Sequence, residues 1–220
     1  MLNNFKQNLE DIEKRIKDIA LGVEKANELI ISALNDCKIE KFDEAKASIK
    51  NISNKTAIID HEIITTLALH QPEAKDLRKM VSFLKITNEL LRASSSSRNF
   101  IRGFQKVYEE VDIQTINEYA IPMQKSTVEA LQYIVKMLDT DCEDEIKEYY
   151  DRVLICENKT DDLYEMIETA ILQEVKEANE FKKYHQMLSS LRKSEKIADR
   201  AMSIASLLLY AHIGGELHQL

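Results

Sequence analysis

Two pairs of acids carry the most specific chemistry in this 220-residue chain: Glu157 with Asp161, and Glu195 with Asp199. A spacing of i, i+4 places both members of a pair on one face of a helix. Glu157 stands on the line of Val153, Thr160 and Tyr164, and Glu195 lies between Leu191 and Ala198, so both pairs border apolar seams. Four carboxylates facing one another across two helices repel strongly unless protons or cations intervene. An all-oxygen set suits hard cations such as iron(III), manganese, magnesium or calcium, with zinc also open. The same spacing arises by chance on solvated faces in a chain that is 31% charged, so simple surface charge stays open as a competing reading. No Glu-x-x-His occurs anywhere, which argues against a di-iron oxidation centre with mixed carboxylate and imidazole ligands. His61, His70, His185, His212 and His218 are scattered and read as surface or helix-end residues rather than ligands.

The elements that must position these acids are helices. Only 4 Gly and 2 Pro punctuate the chain, a small fraction of the roughly 12% that average usage supplies. All-β folds need frequent turn signals and α/β folds need glycine at strand-to-helix turns, so neither class fits. Phe5, Leu9, Ile12, Ile16, Ile19, Val23, Ala26, Ile30 and Ala33 step alternately by four and three, a sustained heptad seam that Asn35-Asp36 closes. Gly22 lies inside this helix without an evident role. A second helix is expected from Phe42 to about Leu69, through Ile49, Ile52, Ile59 and Ile63, with Thr56 interrupting the apolar line. Pro72 suits the first turn of a third helix that ends near Gly103.

The second half repeats the plan. A fourth helix runs through Met123, Val128, Leu131, Val135 and Leu138, with Pro122 near its start or as a kink. A fifth holds Ile146, Tyr150, Val153, Thr160 and Tyr164. A sixth runs from about Phe181 toward His212, where Gly214-Gly215 ends it. Asp60 then corresponds to Asp161 and Leu91 to Glu195. The expected architecture is all-α: two tandem antiparallel three-helix bundles, residues 1–108 and 109–220, joined between Gly103 and Gln114.

A formal charge of −8 disfavours nucleic acid as a partner, because phosphate binding draws on clustered Lys and Arg. Cys37, Cys142 and Cys156 are odd in number and far apart, which fits a reduced, cytoplasmic compartment. No export signal is read in the N-terminal segment, which mixes acids and bases from its second turn. The longest uncharged run, Ala201 to Gly215, is 15 residues, short of the roughly 18 to 20 that a bilayer requires, so the chain is not expected to be integral to a membrane.

Three features together resemble the PhoU family of phosphate-regulatory proteins over essentially the whole length: the doubled three-helix plan, the segment from Leu69-His70-Gln71-Pro72 to Asp76-Leu77-Arg78, and Glu195-Lys196-Ile197-Ala198-Asp199-Arg200-Ala201. The resemblance implies metal clusters, iron or zinc, held on the bundle surface by acidic motifs on the second and third helices of each repeat. Carried over, Glu157, Asp161, Glu195 and Asp199 match the second repeat. The first repeat departs: Thr56, Leu91 and Ser95 stand where acids are expected, and only Asp60 remains. That half is expected to be metal-free, closed by Leu91 and a small-residue surface at Ser94 to Ser97, on a helix that the serine run leaves intact.

The resemblance also implies a cytoplasmic, non-catalytic regulator that links a phosphate ABC transporter, through its ATPase or permease, to a sensor histidine kinase. Inorganic phosphate or a partner's carboxylate could complete the metal cluster, and a homodimer fits the long apolar seams. A metal-dependent enzyme and a metal-free structural adaptor are the competing readings.

Overall fold

The computed structural model describes residues 2–36, 38–111, 113–174 and 178–215; Cys37 and His218 fall outside these ranges. The described residues form six antiparallel helical rods. The first is α1 (Leu2–Asp36), the second is divided into α2 (Glu40–Ser48) and α3 (Ile52–Leu69), and the third is α4 (Ala74–Phe104). A short helix α5 (Ile113–Thr115) and a π-helical turn (Ile116–Ala120) lead into α6 (Ile121–Met137), followed by α7 (Glu143–Glu174) and α8 (Ala178–Ile213). Among the described residues no helix is long and apolar enough to cross a membrane.

The heptad seam of α1 is the buried seam: Phe5, Ile12, Ile16, Ile19, Val23, Ala26, Ile30 and Ala33 are all in the core. Gly22 gains a reason, since a Cβ there would stand 2.9 Å from the backbone oxygen of Ser48 on α2. The second rod corrects the expectation of one continuous helix. Asn51 adopts φ 60°, a left-handed conformation that Asn tolerates better than most residues, and this separates α2 from α3. Apolar periodicity concealed the break because Ile49 and Ile52 on either side are both buried. The guanidinium of Arg98 on α4 donates to the Ile49 carbonyl, satisfying an acceptor that the interrupted ladder releases.

Pro72 lies before α4 rather than in its first turn: Glu73 is extended and Ala74 opens the helix, with Asp76 near its positive end. The serine run does leave α4 intact. Ser94, Ser95 and Ser97 each bond back to a carbonyl three or four residues earlier, at 2.8, 3.0 and 3.1 Å. Ser94 and Ser97 are buried, however, so only part of the run is surface. Gly103 also differs from its expected role as a helix terminator. It lies inside the last turn, where a Cβ would come 2.4 Å from Ser190 Oγ on α8, so glycine serves close helix approach. Pro122 sits in the first turn of α6, directly after the π turn; a residue without an N–H cannot carry on the normal ladder, and the wider turn absorbs that gap. At the far end Gly214 and Gly215, at φ 84° and 95°, terminate α8 as the sequence implies.

The two sets of three rods lie side by side. The most extensive packing in the molecule is between α4 and α8, the third rods of each half, and α1 packs against α6 beside it. The core therefore runs through both halves, and the metal-motif helix α8 is also the joint between them.

Candidate metal centre

Helix α7 begins with Glu143, Asp144 and Glu145, acids that complement its positive end, and buries Val153, Cys156, Thr160 and Ile167. Helix α8 buries Leu191, Ser194, Ile197, Ala198 and Ala201. Their contact through these small and branched residues brings the flanking acids of the two helices together. One carboxylate oxygen from each of Glu157, Asp161 and Asp199 lies within 4.8 Å of the other two. Ligand oxygens on opposite sides of a hard divalent cation stand roughly 4 to 5 Å apart, so the trio has the span of one coordination sphere.

Glu195, the fourth expected ligand, is turned elsewhere. Its side chain is 10% exposed, and Arg192 Nη1 on the preceding turn stands 2.6 Å from Oε2. That guanidinium compensates the buried carboxylate in charge. Arg192 also lies over the Tyr164 ring, 4.9 Å from its centroid. The acidic spacing found Glu195, but nothing in it singled out Arg192; the i, i+3 pairing of Arg192 with Glu195 is the signal that was there to read.

The electrostatics are those of crowded, desolvated acids that nearby cations offset only in part. Burial pushes Glu195 up to about 7, with Asp161 and Asp199 adding to the shift and Arg192 opposing it. Burial also raises Glu157, with Asp161 and Asp199 reinforcing it. Asp161 is raised by burial against the pull of Arg192, and Asp199 by burial and by Asp161, against Arg200, Arg192 and Lys196. Desolvated carboxylates held close together are the donor set a hard cation satisfies. Glu157, Asp161 and Asp199 would hold such an ion. A bound cation there would supply positive charge and open positions for further oxygen ligands.

The matching region of the first half is built differently. Thr56 is buried and donates to Ser53 O at 3.0 Å, Leu91 packs half-buried against the core, and Ser95 bonds its own helix. Asp60 accepts a hydrogen bond from Thr87 Oγ1 at 2.6 Å. The nearby acid Glu89 meets Arg200 of α8 at 3.2 Å, tying the first half to the residue beside Asp199. His212, read as a surface or helix-end residue, does lie in the last turn of α8 but is buried, 3.8 Å from Asp141; burial lowers its pKa. His61 and His185 are exposed.

The model of the PhoU domain matches residues 16–102. The chain is 22% identical over 214 residues to phosphate-specific transport system accessory protein PhoU homolog 1 of Methanothermobacter thermautotrophicus, covering 94% of this chain and 93% of that protein. It is 25% identical over 213 residues to the phosphate-specific transport system accessory protein PhoU homolog of Pseudomonas aeruginosa, covering 94% and 84%. The crystal structure of PhoU from Pseudomonas aeruginosa superposes with a TM-score of 0.81 at 21% identity, covering 96% of this chain and all of that one, which establishes the common helical fold.

Proposed function

From a chain that belongs to the PhoU family, we propose a non-catalytic regulatory accessory of a phosphate-specific ABC transporter, which relays the transporter's state to a sensor histidine kinase by protein contacts. The observation that carries the reading is the match to transport-system accessory proteins across 94% of the chain. A helical rod whose concave sites are shallow grooves between helices is suited to binding protein surfaces, and its exposed helix faces are the docking candidates. The protein works in the cytoplasm, as a homodimer, on the inner side of the transporter.

In this reading the second half carries a metal centre held by Glu157, Asp161 and Asp199, with Glu195 as a fourth ligand. The convergence of three carboxylates and the burial that raises all four acids support it. Iron or zinc are the leading occupants, and manganese, magnesium and calcium share the required oxygen chemistry. A bound ion would leave positions that inorganic phosphate or a partner's carboxylate could fill.

The regulatory reading is tested by deleting the gene and following phosphate uptake together with a phosphate-starvation reporter. Starvation output at high phosphate is the expected phenotype, and unchanged uptake and reporter would reject it. For the metal, protein purified without chelator is compared with Asp199→Asn by elemental analysis; equal content in both would return the acids to surface charge. Calorimetric titration of metal-loaded protein with phosphate decides the ligand, because absence of heat removes phosphate from the account.

A further inference from the structure

Arg192 is placed where a cation would act. Its Nη1 is 2.6 Å from Glu195 Oε2, and its guanidinium rests on the face of Tyr164 from α7. The pair is unequal: the arginine side chain is 48% exposed whereas the glutamate is 10% exposed. One partner is therefore held in the protein and the other can leave toward solvent. The same guanidinium attracts Asp161 and Asp199, so a single arginine offsets the charge of three of the four acids. Its close pairing is with Glu195 alone, the most buried of the four acids.

We propose that Arg192 is the resident counter-cation of the metal-free centre, and that a metal ion recruits Glu195 by displacing it. This rests on the metal reading of the second half. A divalent ion beside Asp161 and Asp199 repels the guanidinium and outcompetes it for Glu195, because a hard dication at a carboxylate carries twice the charge at shorter range. Arg192 then swings outward along its exposed side, and Tyr164 loses its cationic cover. Arginine sets the threshold of metal occupancy, since binding must first break its pair with Glu195.

The test is Mn2+ titration by calorimetry of the wild-type protein, Arg192→Gln, Arg192→Lys and Asp199→Asn, with melting temperatures measured in chelator and in saturating Mn2+. Arg192→Gln is expected to bind Mn2+ roughly tenfold more tightly, the consequence of removing one half-exposed competing charge. Arg192→Lys should stay near wild type. In chelator Arg192→Gln should melt lower than wild type, and adding Glu195→Gln should recover the loss; in saturating Mn2+ the difference should vanish. Unchanged or weaker Mn2+ binding by Arg192→Gln, with wild-type binding intact and lost in Asp199→Asn, overturns the role of Arg192 while leaving the metal centre standing. Binding by Arg192→Gln alone, with none by wild type, upholds it. Absence of Mn2+ binding in every variant removes the centre and the inference together.

Discussion

Gln124 on α6 donates from Nε2 to Asn27 Oδ1 on α1 at 2.8 Å, and both side chains are fully buried. The bond is the middle of a chain: Asn27 Nδ2 donates to Ser97 Oγ on α4 at 3.0 Å, and Ser194 Oγ on α8 donates to Gln124 Oε1 at 2.6 Å. Two helices from each half thus share one buried polar network. Because apolar packing is tolerant of small shifts and hydrogen-bonded geometry is not, the network fixes how the halves register.

Truncating one member leaves a polar atom of its partner buried and unpaired. Asn27→Ala or Gln124→Ala is expected to cost about 2 to 3 kcal/mol, a fall in melting temperature of roughly 5 to 10 °C for a chain of this size. The paired change Asn27→Leu with Gln124→Met should cost less than the sum of its single changes. Denaturant unfolding of the four proteins measures the coupling, and strict additivity would show that the bond is not shared.

The metal-free protein should be most stable at mildly acid pH. Glu195 titrates near 7 in the folded chain, above its ordinary value of 4.5. A raised folded pKa means that the native state holds the proton more tightly. The stabilisation is fully present below the unfolded value and is lost as pH rises through about 7. Melting curves in chelator should therefore decline from pH 5 to pH 8, by about 2 kcal/mol of stability. Glu195→Gln should flatten the decline, and a profile identical to wild type would remove Glu195 as its source.

Gly103 and Ser190 divide one small space between α4 and α8. Gly103→Ala puts a methyl group 2.4 Å from Ser190 Oγ, an overlap expected to cost about 2 kcal/mol. Ser190→Ala removes that oxygen and leaves its own Cβ 3.5 Å from the new methyl, an ordinary contact. The double variant should regain most of the lost stability in thermal unfolding. A double variant as unstable as Gly103→Ala would place the strain elsewhere.

The cysteines should differ in reactivity. Burial raises the Cys156 thiol to about 11, with Glu129 adding to the shift, whereas Cys142 is exposed at the start of α7. Only the thiolate reacts, so at pH 8 iodoacetamide should label Cys142 quickly and Cys156 only on unfolding. Peptide mapping by mass spectrometry reads both rates, and comparable labelling of the two would contradict the packing of α7.

The seam of α1 was legible because its period depends on burial, and every seam residue except the partly buried Leu9 is in the core. The break at Asn51 was not, because the apolar period passes through it undisturbed. Buried Asn27 and Gln124 were equally hidden: as isolated polar residues they signal nothing until the four helices meet. At the centre, spacing revealed the four acids, since i, i+4 is a local property. Which three converge depends on how α7 and α8 pack, and the diversion of Glu195 depends on a rotamer of Arg192.

The joint along α4 and α8 has a consequence for biosynthesis. When the first three rods have left the ribosome, the face of α4 bearing Glu89 and Gly103 is complete, but α8, which meets it through Arg200 and Ser190, is the last of the described rods to emerge. Until then the groove along α4 stays open to water, and it closes only when α8 packs over it. The first half waits for the C-terminal rod, and a truncation that removes α8 is a loss of its partner surface as well as of the acids.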